Sequence, residues 1–171
     1  MPRKPRQVET RMTAEYLLKE YPKFQSITAC PLGRVDEALM AAQGYRRAIG
    51  ISRPYRPEAD AIVILPNYLL LIEAKVWQVV NGLAKLPMYK SLIPFTPELK
   101  QYLPREVLME LVVGWTNSNL EIMARDAGVT IKVYSPQWLQ EVVNSMSNYW
   151  TADYQRERQR KLDARKTLGL E

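Results

Sequence analysis

Two apolar runs joined by a turn signal dominate the polarity pattern of this chain. Residues 59–76 read ADAIVILPNYLLLIEAKV. A Pro66-Asn67 pair at the centre of a tight turn makes the two runs an antiparallel hairpin. Around it the pattern alternates between helical and strand periods. Residues 11–21 (RMTAEYLLKEY) predict a short amphipathic helix ended by Pro22, and residues 24–29 a strand closed by Pro31 and Gly33. Residues 36–43 suit a short helix stopped at Gly44, followed by an Arg- and Pro-rich loop or strand edge over 45–57. Past the hairpin, Asn81-Gly82 breaks the strand pattern, and residues 83–93 repeat apolar groups at helical spacing with Pro87 as a defect. Pro94, Pro97 and Pro104 mark a connecting loop, and residues 106–115 read as a buried strand. Ser118 and Glu121 have capping-box spacing for a helix ending at Gly128. A strand over 129–134 and a helix from Ser135-Pro136 to about Met146 complete the core. The order predicts an α/β fold: a central mixed sheet flanked by helices, with an antiparallel start and a parallel finish.

Charge changes the reading of the hairpin. With Leu65 facing Tyr68, counting back along both strands sets Asp60 opposite Glu73. Side chains at opposed antiparallel positions lie about 5 Å apart, and two carboxylates there repel. A divalent cation between them turns that penalty into a site. Lys75, two residues beyond Glu73, projects from the same face. Two carboxylates and an amine converging on one spot supply the parts for metal-assisted phosphodiester hydrolysis. The competing reading is an internal salt bridge at a sheet end, with Lys75 neutralising the acids.

Composition narrows the chemistry further. The chain has no histidine, which removes Ser-His-Asp and Cys-His catalysis and imidazole zinc sites. Cys30 is alone and reads as a small core residue. The 171 residues suggest one domain with extensions: a basic N-terminal arm (1–10), an α/β domain (11–147) and a charged helical C-terminal extension (148–171). No apolar stretch approaches a membrane span and the N-terminus lacks a signal peptide, so the expectation is a cytoplasmic protein without a membrane partner. The net charge of +6 favours a polyanionic partner. Arg53 and Arg56, just before Asp60, are candidate phosphate contacts, with a solvated loop as the alternative. Trp77 and Trp115 read as core. Trp150 and Tyr154, one helical turn apart before an Arg-rich run, suggest a docking helix that meets another chain, with packing back on its own domain as the alternative.

These residues resemble the PD-(D/E)xK, or restriction-endonuclease-like, nuclease superfamily. Its core carries Asp on the second strand and Glu-x-Lys on the third, the pattern of Asp60 and Glu73-Ala74-Lys75. The resemblance covers roughly residues 11–134. It departs from the family at Ala59, where a Pro often precedes the Asp, and at Lys85, where many members carry Gln four residues before the tyrosine matched by Tyr89. The resemblance implies that Asp60, Glu73 and Lys75 are catalytic. It implies that Asp60, Glu73 and the Ala74 carbonyl hold Mg²⁺ or Mn²⁺, with Glu15 or Glu20 of the first helix as a further carboxylate. DNA is the implied partner, with Lys85 and Tyr89 as backbone contacts beside Arg53 and Arg56. Tyr89 also suits the apolar stripe of its helix. The chain is similar to small bacteriophage members of this superfamily. That likeness implies either a nuclease carried at the head-completion or neck stage of a virion, or a structural neck component that contacts phage proteins or further copies of itself.

Overall fold

The structure, a computed structural model, describes residues 5–146 and 152–167. Helix α1 (Pro5–Glu20) leads into strand β1 (Gln25–Pro31), followed by α2 (Glu37–Gln43) and α3 (Tyr45–Ser52). The hairpin is β2 (Glu58–Ile64) and β3 (Tyr68–Lys75), and α4 (Val79–Leu92) follows it. Then come β4 (Glu106–Val113), α5 (Ser118–Asp126), β5 (Val129–Val133), α6 (Gln137–Met146) and α7 (Ala152–Thr167). The sheet has five strands in the order β1-β2-β3-β4-β5. The β1–β2 and β2–β3 pairs are antiparallel, and β3–β4 and β4–β5 are parallel. This is the α/β fold expected, a central mixed sheet flanked by helices. The described residues up to Ser135 form one compact unit that holds the whole sheet, and α6 and α7 belong to a second. No described helix is long and apolar enough to cross a membrane.

Strand β3 is buried along nearly its whole length because helices cover both faces of the sheet, which explains its unbroken YLLLI run. On one face, Val8, Met12 and Tyr16 of α1 follow a spacing of four and are buried. On the other, Leu83, Leu86 and Tyr89 of α4 pack with Ile62, Leu69, Leu71 and Leu111. Cys30 is buried among the same residues, as expected.

Several expectations are corrected. Helix α1 starts at Pro5, inside the expected arm, because proline suits a first helical turn. Most of the segment 45–57 is helical, as α3 and the 3-10 turn Arg53–Tyr55, since Gly44 at positive φ lets the chain turn sharply after α2 and resume a helix. Asn117, not Ser118, caps α5, its side chain accepting from the Leu120 N–H. Trp115 is half exposed, outside the core. Trp150 lies outside the described residues, as does the side-chain setting of Tyr154.

Arg56 is the clearest correction. Its guanidinium is buried and holds both oxygens of Glu98, each at 2.7 Å, along with the carbonyls of Pro31 (2.8 Å) and Leu32 (3.3 Å). Burial works to raise the Glu98 carboxyl, but the Arg56 hydrogen bonds, a backbone hydrogen bond and the charges of Arg56 and Arg53 together outweigh it and hold that carboxyl below its ordinary value. This arginine clamps the end of β1 to the loop before β4 and is not offered to a phosphate.

Gly82 sets how closely α4 approaches the sheet. A Cβ there would collide with Cγ of Lys75 and lie 3.2 Å from Leu111 Cδ1 and 3.5 Å from Glu73 Cγ. Gly82→Ala should therefore cost about 1–3 kcal/mol of stability through overpacking. Gly50, on α3, has open space where its Cβ would go. Gly50→Ala should instead stabilise the protein by about 0.5–1 kcal/mol through helix propensity. Urea unfolding of both variants reads the two opposite signs, and equal effects would contradict this account of the α4 contact.

Candidate active site

The β2–β3 ladder runs from Ile64↔Leu69 to Ala61↔Ile72 and stops there. Continued by one residue, the register sets Asp60 against Glu73, as the turn geometry requires. Where the ladder opens, Asp60 Oδ2 accepts the Ala74 N–H at 2.8 Å. The β1 side is also interrupted. Pairing passes from Thr28↔Ala61 to Cys30↔Ala59, and the residue between, Ala29, has a left-handed φ of 47°. A non-glycine residue there costs about 1 kcal/mol or more. Backbone strain of this kind concentrates at functional sites.

Lys75 lies at the centre of the acids. Its Nζ is 3.2 Å from Glu73 Oε1, 3.8 Å from Asp60 Oδ2 and 3.2 Å from Glu9 Oε2. Lys85 Nζ approaches Glu73 Oε1 to 3.8 Å from α4. Glu9 is the residue that sequence reasoning missed. It arrives from α1, and its other oxygen accepts the Val76 N–H at 3.2 Å. The expected first-helix acids lie elsewhere. Glu15 pairs with Arg11 at 2.8 Å and accepts from the Tyr134 hydroxyl at 3.2 Å, while Glu20 meets Lys19. At about 100° per residue, six positions turn Glu15 well away from Glu9. A helix begun at Pro5 would have revealed Glu9, because it shares the edge of the buried face with Thr13, one turn on.

Burial and charge together tune the cluster. Glu73 is almost wholly buried, and its Oε2 has no hydrogen-bond partner. Burial first, then the charge of Asp60, pushes its carboxyl up from an ordinary 4.5 to about 7, against the opposing pull of Lys75 and Lys85. For Lys75, burial favours the neutral amine, but the charges of Glu73, Asp60 and Glu9 outweigh it and hold the ammonium above its ordinary value. Lys75 is therefore a fixed cation and a poor general base.

Among the described residues no three acids stand ready to hold a metal ion together. The Lys75 ammonium reaches all three instead. The donor set still fits a hard divalent cation. Asp60 and Glu73 share one face, Glu73 Oε2 is unpartnered, and magnesium typically takes one or two carboxylates and keeps several waters. A cation of that charge would also relieve the repulsion that raises Glu73.

The acids line a cavity of about 490 Å³ that Arg6, Thr10, Thr28 and Lys85 also wall. Arg53 stands beside it, donating to Glu58 Oε1 at 3.1 Å and to the Ala29 carbonyl at 3.2 Å. Tyr89 is only 8% exposed. It is buried in the α4 core, where burial first and then the Glu73 and Asp60 charges raise its hydroxyl. Thus Asp60, Glu73, Ala74, Lys75 and Lys85 converge, Arg53 borders the cavity, and Arg56, Tyr89 and Glu15 serve other contacts.

The chain matches no protein-family model and no curated protein. Three solved structures resemble it remotely. One is a repair endonuclease from Pyrococcus abyssi, at 12% identity and a TM-score of 0.46, over 74% of this chain and 46% of that one. Another is AF1548, a protein of unknown function, at 10% identity and a TM-score of 0.47, over 81% of this chain and 66% of that one. The third is VC1899 from Vibrio cholerae, at 18% identity and a TM-score of 0.41, over 85% of this chain and 32% of that one. The chain thus spans about half the length of the endonuclease and a third of the Vibrio protein.

Proposed function

We propose that the protein is a metal-dependent deoxyribonuclease that hydrolyses phosphodiester bonds at the Asp60–Glu73–Lys75 cluster, with Mg²⁺ or Mn²⁺ as its cation. The observation that carries this reading is a buried lysine held among acids from α1, β2 and β3, beside an unpartnered oxygen of Glu73. Asp60, Glu73 and the Ala74 carbonyl would hold the cation. It would polarise the scissile phosphate and lower the pKa of a bound water. Lys75, kept protonated by its neighbours, stabilises negative charge developing on the phosphate oxygens. Glu9 orients Lys75 from the far side, and Lys85 and Arg6 offset the charge of the incoming backbone. A net charge of +6 draws the polyanion in. No described residue supports the phage-particle role that the resemblance implied.

With Mg²⁺ or Mn²⁺ the purified protein should cut DNA. Asp60→Asn and Lys75→Ala should each lower the rate by about 100-fold or more while the circular dichroism spectrum stays native. Glu9→Gln should lower kcat by about tenfold with KM unchanged, and Glu15→Gln should change neither. Unchanged cutting by Asp60→Asn or Lys75→Ala would locate the activity elsewhere. A wild-type protein inert on linear, branched and single-stranded DNA would sink the proposal.

Stability without metal gives a second check. Glu73 has a raised carboxyl pKa in the folded protein, so between about 4.5 and 7 the native state binds more protons than the unfolded chain. Its contribution is therefore present below that window and is lost as pH rises through about 7. In chelator, unfolding free energy should fall across this range in the wild type and fall less in Glu73→Gln. Parallel pH profiles for the two proteins would contradict the assignment.

A further inference from the structure

We infer that the segment between α3 and β2 is a stacking platform for unpaired DNA, with Tyr55 as the base-contacting residue, so that the substrate is a single strand or an unpaired end. This inference rests on the nuclease reading of the adjoining cavity and names its substrate class.

The first observation is the ring itself. Tyr55 is 87% exposed at the end of the 3-10 turn Arg53–Tyr55, where Pro54 stiffens the backbone. An aromatic ring held in water on a rigid turn offers a face that any base can stack on, whatever its sequence. The second is the position of that turn. Arg53 bonds the Ala29 carbonyl and the Glu58 carboxylate, and both of those residues line the cavity that contains Asp60, Glu73 and Lys75. Tyr55 is two residues along the chain from that anchor.

Charge supports the same occupant. Residues 45–56 contain four arginines and no acid. Arg56 is consumed by its clamp on Glu98, which leaves Arg46, Arg47 and Arg53 as the exposed arginines of the segment. Basic side chains following a backbone, interleaved with an aromatic that receives a base, form the usual surface for single strands. The depth of the site points the same way. Lys75 and Glu73 are 14% and 2% exposed at their side chains. They lie in a cavity walled by α1 on one side and Thr28 of β1 on another. A phosphate must descend to reach them. A flexible single strand can bend into such a cleft, whereas duplex DNA is stiff over roughly 150 base pairs.

The test is fluorescence anisotropy in chelator, with a labelled mixed-sequence oligodeoxynucleotide as single strand and as blunt duplex. Wild type should bind the single strand at least about tenfold more tightly. Tyr55→Ala should lose about tenfold on the single strand and little on the duplex, and Tyr55→Phe should keep wild-type affinity. Wild-type binding by Tyr55→Ala, an equal loss on both forms, or a wild-type preference for duplex overturns the inference. Cleavage assays separate it from the nuclease reading. Tyrosine-dependent single-strand binding with no cleavage in Mg²⁺ or Mn²⁺ supports the platform and removes the enzyme. Cleavage of both DNA forms at the wild-type rate by Tyr55→Ala keeps the enzyme and removes the platform.

Discussion

The ammonium of Lys75, surrounded by three carboxylates from three elements, is the interaction on which the rest of the molecule depends. Buried charges are costly unless they are paired, and each acid here has the Lys75 ammonium within ion-pair distance. Glu9 requires α1 across the sheet end, Asp60 requires the β2–β3 register, and Glu73 requires α4 close enough to seal it. Such a cluster is poor value as a stabilising device, since well-packed apolar groups of similar volume often do as well or better. Its persistence at the end of two otherwise apolar strands makes sense as chemistry, and the unpartnered Glu73 oxygen is where that chemistry remains open.

Helix α1 must be held firmly for Glu9 to serve this cluster, and a second polar contact does so on the opposite side of the sheet. Glu110 of β4 is buried and accepts the Tyr16 hydroxyl at 2.7 Å and the Tyr21 hydroxyl at 3.3 Å. Burial raises its carboxyl, and the two tyrosine bonds only partly oppose that effect. Tyr16 also packs edge-on against Tyr21 and Tyr134. The helix is thereby pinned near its C-terminal end by Glu110 and near its N-terminal end by Lys75 and the Val76 N–H.

Arg53 and Arg56 illustrate how little residue type decides alone. They are three positions apart in one basic segment, and both suit a phosphate. Arg56 folds inward because Glu98 and two strand-end carbonyls need a donor there, while Arg53 stays exposed at the cavity rim. Lys75 and Lys85 divide similarly. One is enclosed by acids and fixed, and the other remains half exposed with a single acid nearby.

The sequence by itself determined whatever depends on local period and turn chemistry. The Pro66-Asn67 turn set the register, because strand side chains alternate strictly and one step would have moved Asp60 to the wrong face. The same alternation carried Lys75 to the side of Glu73, and the doubly buried β3 announced itself as an unbroken apolar run. Tertiary structure decided what depends on distance in the chain. Glu9 lies 66 positions from Lys75 and Arg56 lies 42 from Glu98, so no spacing rule could link either pair. The start of α1 was equally hidden, since its first turn looks like a basic arm until Val8 finds the sheet to bury against. Local patterns fix which way a side chain points, but the partner that waits there is chosen by packing.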